Sequence, residues 1–236
     1  MKRSLVESRI VLAQATGFYR SAVGKKVVMA ITGLIGFAFV VGHLLGNLQF
    51  YLGPAVLNEY GAALRRNPGL LLMARVGLLI ALVAHVVAAI QLTIQNSTAR
   101  PHNYHQWQAR KSTYSARTMK YSGPLLGVFI VYHLLHLTLG SVHPNFKHVS
   151  GDVPDTYHNV VVGFSSLPVS LSYMAAMAFL GFHMSHGIWS LFQSMGVNHP
   201  RYLPVVRKAA VAIAVVIVLA NISIPIAVLL GFHDAL

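Results

Sequence analysis

The sequence predicts an all-α integral membrane protein: five transmembrane helices in a bundle, N-terminus cytoplasmic, C-terminus outside. Three observations predict it. Of 236 residues, 55% are hydrophobic and only 10% are charged, whereas an ordinary soluble domain carries about 25% charged residues. The apolar residues gather into five runs, 27–51, 70–94, 121–142, 167–195 and 209–232. Each is long enough, at about 1.5 Å per residue, to cross a hydrocarbon core of about 30 Å. The basic residues between the runs are unevenly shared, and that inequality sets the orientation.

Taken in order, the first segment, 4–19, mixes charges with Leu5, Val6, Ile10, Val11 and Leu12, a pattern suited to an interfacial helix before the first span. Glu7 and Arg9 fall where the apolar region of a signal peptide would lie, so no cleaved signal is expected. With the N-terminus inside, the inner side holds fourteen of the eighteen lysines and arginines. These are Lys2, Arg3, Arg9, Arg20, Lys25 and Lys26 before the first span, five between the second and third, and Arg201, Arg207 and Lys208 before the fifth. Arg65, Arg66, Arg75 and Lys147 fall outside, with four of the five acids. The positive-inside rule therefore favours N-in, C-out. The inner loop 97–118 interleaves Arg and Lys with Tyr and Trp, which suits lipid headgroups or a docked partner. No repeat or low-complexity stretch interrupts the pattern, and residues 1–236 read as a single membrane domain.

Composition excludes whole classes of chemistry. Cysteine is absent, so this chain has no disulfide, no thiolate-held iron–sulfur cluster and no covalent haem attachment through a CxxCH motif. The formal net charge of +13 does not indicate nucleic acid here, because the basic residues are confined to the loops between apolar runs.

Thirteen histidines are present. His102, His105, His143, His148, His158, His199 and His233 fall in loops and need no special role. Six lie in spans: His43 in the first, His85 in the second, His133 and His136 in the third, His183 and His186 in the fourth. An ionisable side chain in hydrocarbon is costly and normally faces a partner, a cavity or a cofactor. Their depths fall into two levels. His43 lies ten residues before Gly53 and His133 ten before His143, about 15 Å inward from the outer side. His85 lies seventeen residues after Pro68 and His183 fifteen after Pro168, about 22–26 Å inward. An outer pair, His43 with His133, and an inner pair, His85 with His183, are what two six-coordinate bis-histidine haems require. Zinc would recruit thiolate or carboxylate, or gather three or four ligands at one depth, and no acid lies within the apolar runs. Gly42 and Gly46 beside His43, and Gly181 and Gly187 around His183, leave room for a flat macrocycle or for close helix packing. His136 and His186 each follow a competitor by three residues on the same helix side, and spacing does not choose between them; depth favours His133.

In four stretches the chain resembles the cytochrome b558 membrane-anchor subunit of succinate:quinone oxidoreductases, the single-chain, five-helix, two-haem kind of bacterial succinate dehydrogenases and fumarate reductases. They are SAVGKKVVMAITGLIGFAFVVGHLLGNLQF, ARVGLLIALVAHVVAAIQLTIQNSTARP, RTMKYSGPLLGVFIVYHLLHLTLG and FHMSHGIWSLFQSMG. The resemblance implies one axial ligand on each of the first four helices, which points to His43, His85, His133 and His183 and resolves both ties. It implies two haem b groups, a membrane quinone of the menaquinone or ubiquinone type, and a flavoprotein subunit with an iron–sulfur subunit docked on the cytoplasmic face of a bacterial inner membrane. Succinate oxidation would belong to those partners, and this chain would pass electrons between the iron–sulfur subunit and quinone.

On that reading Ser21, Lys25, Arg100, Arg117 and Lys120 are candidate partners for haem propionates. Asn47, Gln49 and Glu59, near the outer end of the first span, are candidates for binding quinone and handling its protons. Asn221, one turn before Pro225 in the fifth span, is expected to satisfy carbonyls freed by the proline. The rival readings are the cytochrome b subunit of a hydrogenase, formate dehydrogenase or nitrate reductase, a histidine-based transporter, and a structural anchor that carries no haem.

Overall fold

The computed structural model describes residues 17–99, 114–151 and 153–232. Five of its helices are long and apolar enough to span a bilayer: α1 (Ala22–Asn47), extended to Leu52 by a 3-10 turn (Leu48–Leu52), α3 (Pro68–Thr98), α4 (Tyr114–His133), extended by a π-helical turn (Leu134–Thr138), α6 (Leu167–Ser194) and α7 (Leu203–Leu229). The chain is a multi-pass, all-α membrane protein. The expected segment 4–19 lies outside the described residues up to position 16, as do Arg100, most of the loop 97–118, and His233.

The helix ends follow local chemistry. Ser21 accepts from the amide of Gly24 at 3.0 Å and donates to the carbonyl of Phe18 at 2.6 Å, satisfying one of the unpaired donors that open α1. Asn67 accepts from Leu70 N at 3.0 Å ahead of Pro68 at the start of α3, where a proline's missing N–H costs nothing. Gly53, with φ of 92°, ends the 3-10 turn in backbone that a side chain would strain, and Pro54 then opens a short helix, α2 (Pro54–Arg65). The third span begins and ends earlier than the 121–142 run. After the π turn the chain leaves the helix at Gly140, φ 70°, where Phe146 fills the space that a Cβ would need. Val142 and His143 are thus outside the helix.

The face opposite the start of α1 carries a cap that hydropathy does not reveal. It consists of α2, a two-stranded antiparallel hairpin, β1 (His148–Ser150) with β2 (Val153–Pro154), and α5 (Thr156–Ser165). Side-chain amides stitch it together. Asn58 of α2 donates to Asp155 Oδ1 at 2.9 Å and accepts from Tyr157 N at 3.0 Å, while Asp155 caps α5 by accepting from His158 N at 3.1 Å. Asn159 clasps Lys147, accepting from its N–H at 2.8 Å and donating to its carbonyl at 2.9 Å.

Below the cap, α6 is the central helix, packed on α7, α4 and α1, while α3 leans chiefly on α1. One apolar cluster ties the cap to the bundle through Phe50, Leu57, Phe164, Tyr173, Ile224 and Val228. A second, deeper one joins Leu44, Met184, Ala214 and Ile217. The outward faces of α3 and α7 expose Leu72, Leu79, Ile80, Ile90, Val216 and Leu219. That would be unfavourable in water and is the expected surface against lipid tails.

Candidate functional site

Four of the six span histidines meet in two pairs. His43 of α1 faces His133 of α4 with ring centroids 5.7 Å apart and ring planes 81° apart. His85 of α3 faces His183 of α6 at 6.3 Å. Neither α1 with α4 nor α3 with α6 packs as neighbours along its length; each pair reaches across a diagonal of the four helices. None of the four residues is fully buried by protein, although all four lie within membrane-spanning helices.

The helices give each ring a fixed seat. Phe39, one turn before His43, stacks on it at 5.3 Å, and Phe129 stacks on His133 at 5.9 Å. Gly33 of α1 admits the His85 ring, for a Cβ there would lie 3.3 Å from His85 Cε1. Thr32 sets its tautomer. The Thr32 hydroxyl donates its one proton to the carbonyl of Val28 at 2.7 Å, so at 3.1 Å from His85 Nδ1 it acts as acceptor for an Nδ1–H. His85 then keeps a bare Nε2, the arrangement by which an outer hydrogen bond fixes a metal-binding imidazole.

His136 and His186, the near duplicates, point elsewhere. His136 is 1% exposed, accepts or donates at Nδ1 to the Tyr173 hydroxyl at 2.9 Å, and stacks on His143 at 4.9 Å. His186 lies edge-on to Trp189 at 5.9 Å. The pairing across the bundle therefore belongs to His133 and His183. His143, which as a loop residue needed no role, is 7% exposed: it donates from Nε2 to the carbonyl of Asn159 at 2.9 Å and accepts at Nδ1 from Asn145 N. Gly163 makes room for this stack, since a Cβ would come within 2.8 Å of His136 Cε1. Tyr173, His143 and Asn159 were not legible as site residues. Only the density of histidine and aromatic residues around YHLLH hinted at them.

The glycines divide. Gly46 is filled by the Tyr60 ring and Gly181 by Val218, so both serve close packing between elements rather than a macrocycle. Gly42 and Gly187 have nothing within 4 Å of a Cβ. Among the candidate propionate partners, Ser21 is engaged as a helix cap. Lys25 bonds the Arg20 carbonyl at 2.8 Å and reaches Gln95 Oε1 at 3.4 Å. Arg117 and Lys120 lie over the rings of Tyr114 and Tyr121, and Arg100 is outside the described residues. Asn47, Gln49 and Glu59 are not joined: Tyr60 seats α2 on the end of α1 beside Asn47, yet Glu59 is exposed on α2. Asn221 donates to the carbonyl of Ile217 at 2.8 Å. The carbonyl freed by Pro225 is that of Asn221 itself, so the expected role of this side chain is not the one found. Arg65, bonded to the Gly61 carbonyl at 2.8 Å, has its pKa lowered by burial and then by the like charge of Arg75.

The donor sets fit a bis-imidazole cofactor. Among the described residues no three potential metal ligands converge; the histidines come in twos, with neither thiolate nor carboxylate. Metal–imidazole bonds of about 2 Å on either side, with each ring centre about 1 Å behind its nitrogen, put ring centres about 6 Å apart. The observed 5.7 and 6.3 Å bracket that separation. His183 Nδ1 is buried without a hydrogen-bond partner, so this ring is held by packing alone.

Residues 95–223 match the sequence model of a family described as succinate dehydrogenase/fumarate reductase transmembrane subunit. The matched stretch is more than half the chain and includes His133 and His183, whereas His43 and His85 precede it. No curated protein and no solved structure gave a match.

Proposed function

Since the chain belongs to the succinate dehydrogenase/fumarate reductase transmembrane subunit family, a membrane subunit of such complexes, we propose that it is the dihaem cytochrome b anchor. It passes electrons between an iron–sulfur subunit and membrane quinone. The observation that carries this reading is the pairing of span histidines on two diagonals at ring separations of 5.7 and 6.3 Å. His43 and His133 would hold the iron of an outer haem, His85 and His183 that of an inner one. Haem b, when bound, supplies a one-electron iron centre whose potential follows axial ligation, hydrogen bonding and burial.

The residues of this chain do the positioning. Four imidazoles from four helices would hold the two centres, and the apolar spans exclude water and lower the local dielectric. Lys25, Arg117 and Lys120, near the start of α1 and α4, are the cations for haem carboxylates. Asn47, Gln49 and Glu59 on the capped side offer amide and carboxyl groups to a quinone of the menaquinone or ubiquinone type. We assign the basic face to the cytoplasm of a bacterial inner membrane, where the flavoprotein and iron–sulfur subunits dock. The flavin and the clusters reside in those partners, in keeping with a chain that has no cysteine.

A reduced-minus-oxidised spectrum with the haem-to-protein ratio tests the reading directly. Two b haems per chain are expected, and His43→Ala and His85→Ala should each remove a centre of different potential. A ratio near zero in the wild type overturns the cytochrome reading, and unchanged haem content in either variant overturns that ligand.

A further inference from the structure

The Tyr173 hydroxyl touches two imidazoles at once. It lies 2.9 Å from His136 Nδ1 and 3.3 Å from His133 Nδ1, at the junction between the outer histidine pair and the enclosed His136–His143 stack. Tyr173 is 6% exposed, and Phe129, Tyr132 and Phe164 surround its ring. A phenol carries one proton and can donate to only one of the two nitrogens. The other ring must bring its own N–H and donate to the oxygen. Hydrogen bonds given by a hydroxyl are shorter than those given by a ring N–H. The shorter contact suits O–H donation to His136 Nδ1, and the longer suits His133 Nδ1–H donation to the phenol oxygen.

We propose that Tyr173 is a positioning residue for the outer pair: its hydroxyl oxygen accepts a hydrogen bond from His133 Nδ1–H, which leaves His133 Nε2 bare for ligation. His136 is the anchor of this arrangement. Held between the Tyr132 ring at 5.5 Å and the His143 ring at 4.9 Å, it accepts a hydrogen bond from the phenol O–H and stops the hydroxyl from rotating to donate to His133. The inner pair has a corresponding acceptor in Thr32, with a backbone carbonyl in place of His136. The opposite order, with Tyr173 donating to His133 Nδ1, would put the proton of a neutral His133 on Nε2 and block ligation there. The inference rests on the haem-ligand reading above, extending it to a residue that touches only the ligand.

The test is redox titration of membranes carrying the full chain, with the low-spin ferric resonance recorded alongside. The outer centre is identified as the one lost in His43→Ala. Tyr173→Phe keeps the ring and its packing and removes only the hydroxyl. A hydrogen bond from ligand Nδ1–H raises imidazole basicity and favours the ferric state, so its loss should shift the outer potential upward and alter the outer ferric resonance, with the inner centre unmoved. Tyr132→Phe, which removes a neighbouring hydroxyl that does not reach His133, should change neither. Two bound haems with both potentials unchanged in Tyr173→Phe would overturn the proposal, as would equal shifts in the two variants. A wild-type chain without haem would overturn the ligand reading itself, an outcome separate from either of these.

Discussion

At the scale of single residues, the geometry distinguishes histidines that the sequence leaves equivalent. His133 and His136 differ by three positions, yet one faces across the bundle and the other is sealed between aromatic rings. The sealing depends on Gly163, His143 and Tyr173, which belong to other elements, so no pattern within YHLLH could express it. Thr32 was equally hidden, because a threonine in an apolar helix ordinarily bonds its own backbone. Thr32→Val should weaken retention of the inner cofactor by about tenfold to a hundredfold, the usual cost of losing an outer-shell partner, while Thr32→Ser should preserve it. Haem content of the purified chain, set against His85→Ala, reads this out; equal retention in Val and Ser variants would show that the hydroxyl does not matter. Gly163→Ala should destabilise by about 1–3 kcal/mol through overpacking against His136, measured as a lowered midpoint in thermal unfolding of the detergent-solubilised chain.

At the scale of elements, the spans were legible because a bilayer imposes one requirement on all of them: backbone groups satisfied within the helix and an apolar exterior. All five expected runs overlap observed helices, with errors at the ends, where capping by Ser21 or Asn67 and the π turn after His133 decide the boundary. The cap was not legible. Helices α2 and α5 are short and only partly apolar, and they are held by long-range amide bonds such as those of Asn58. The histidine pairs were legible in outline from counting residues at a fixed rise, although the count for His133 ran to His143 whereas the helical run ends at Thr138. Their ring separations and supporting hydroxyls depend on how helices pack and were not. Asn58→Ala removes two hydrogen bonds between α2 and the start of α5 and leaves Asp155 Oδ1 with one donor fewer. A loss of about 1–3 kcal/mol is expected, appearing as faster hydrogen exchange at α5 amides with the spans unaffected. Unchanged exchange would mean that the apolar cluster around Phe50 and Leu57 alone fastens the cap.

At the scale of the whole molecule, charge and architecture give two different faces. The ends of the spans near Lys25, Lys26, Arg201, Arg207 and Lys208 form a basic side, and the opposite side is closed by the cap. The positive-inside rule assigns the basic side to the cytoplasm. A protease-cleavable tag at the N-terminus should therefore resist protease added to intact cells, and one placed in the 148–154 hairpin should be cut. The reverse pattern would invert the topology and with it the docking face of the partner subunits.

Among the described residues helix α3 packs chiefly on α1, and it meets α6 where one imidazole faces another at 6.3 Å. A prosthetic group clamped there would act as a rivet, closing a bundle that is otherwise latched along one edge. Newly inserted chains starved of that rivet should be the ones that membrane quality control removes, so the steady-state abundance of this subunit should track the cell's supply of porphyrin.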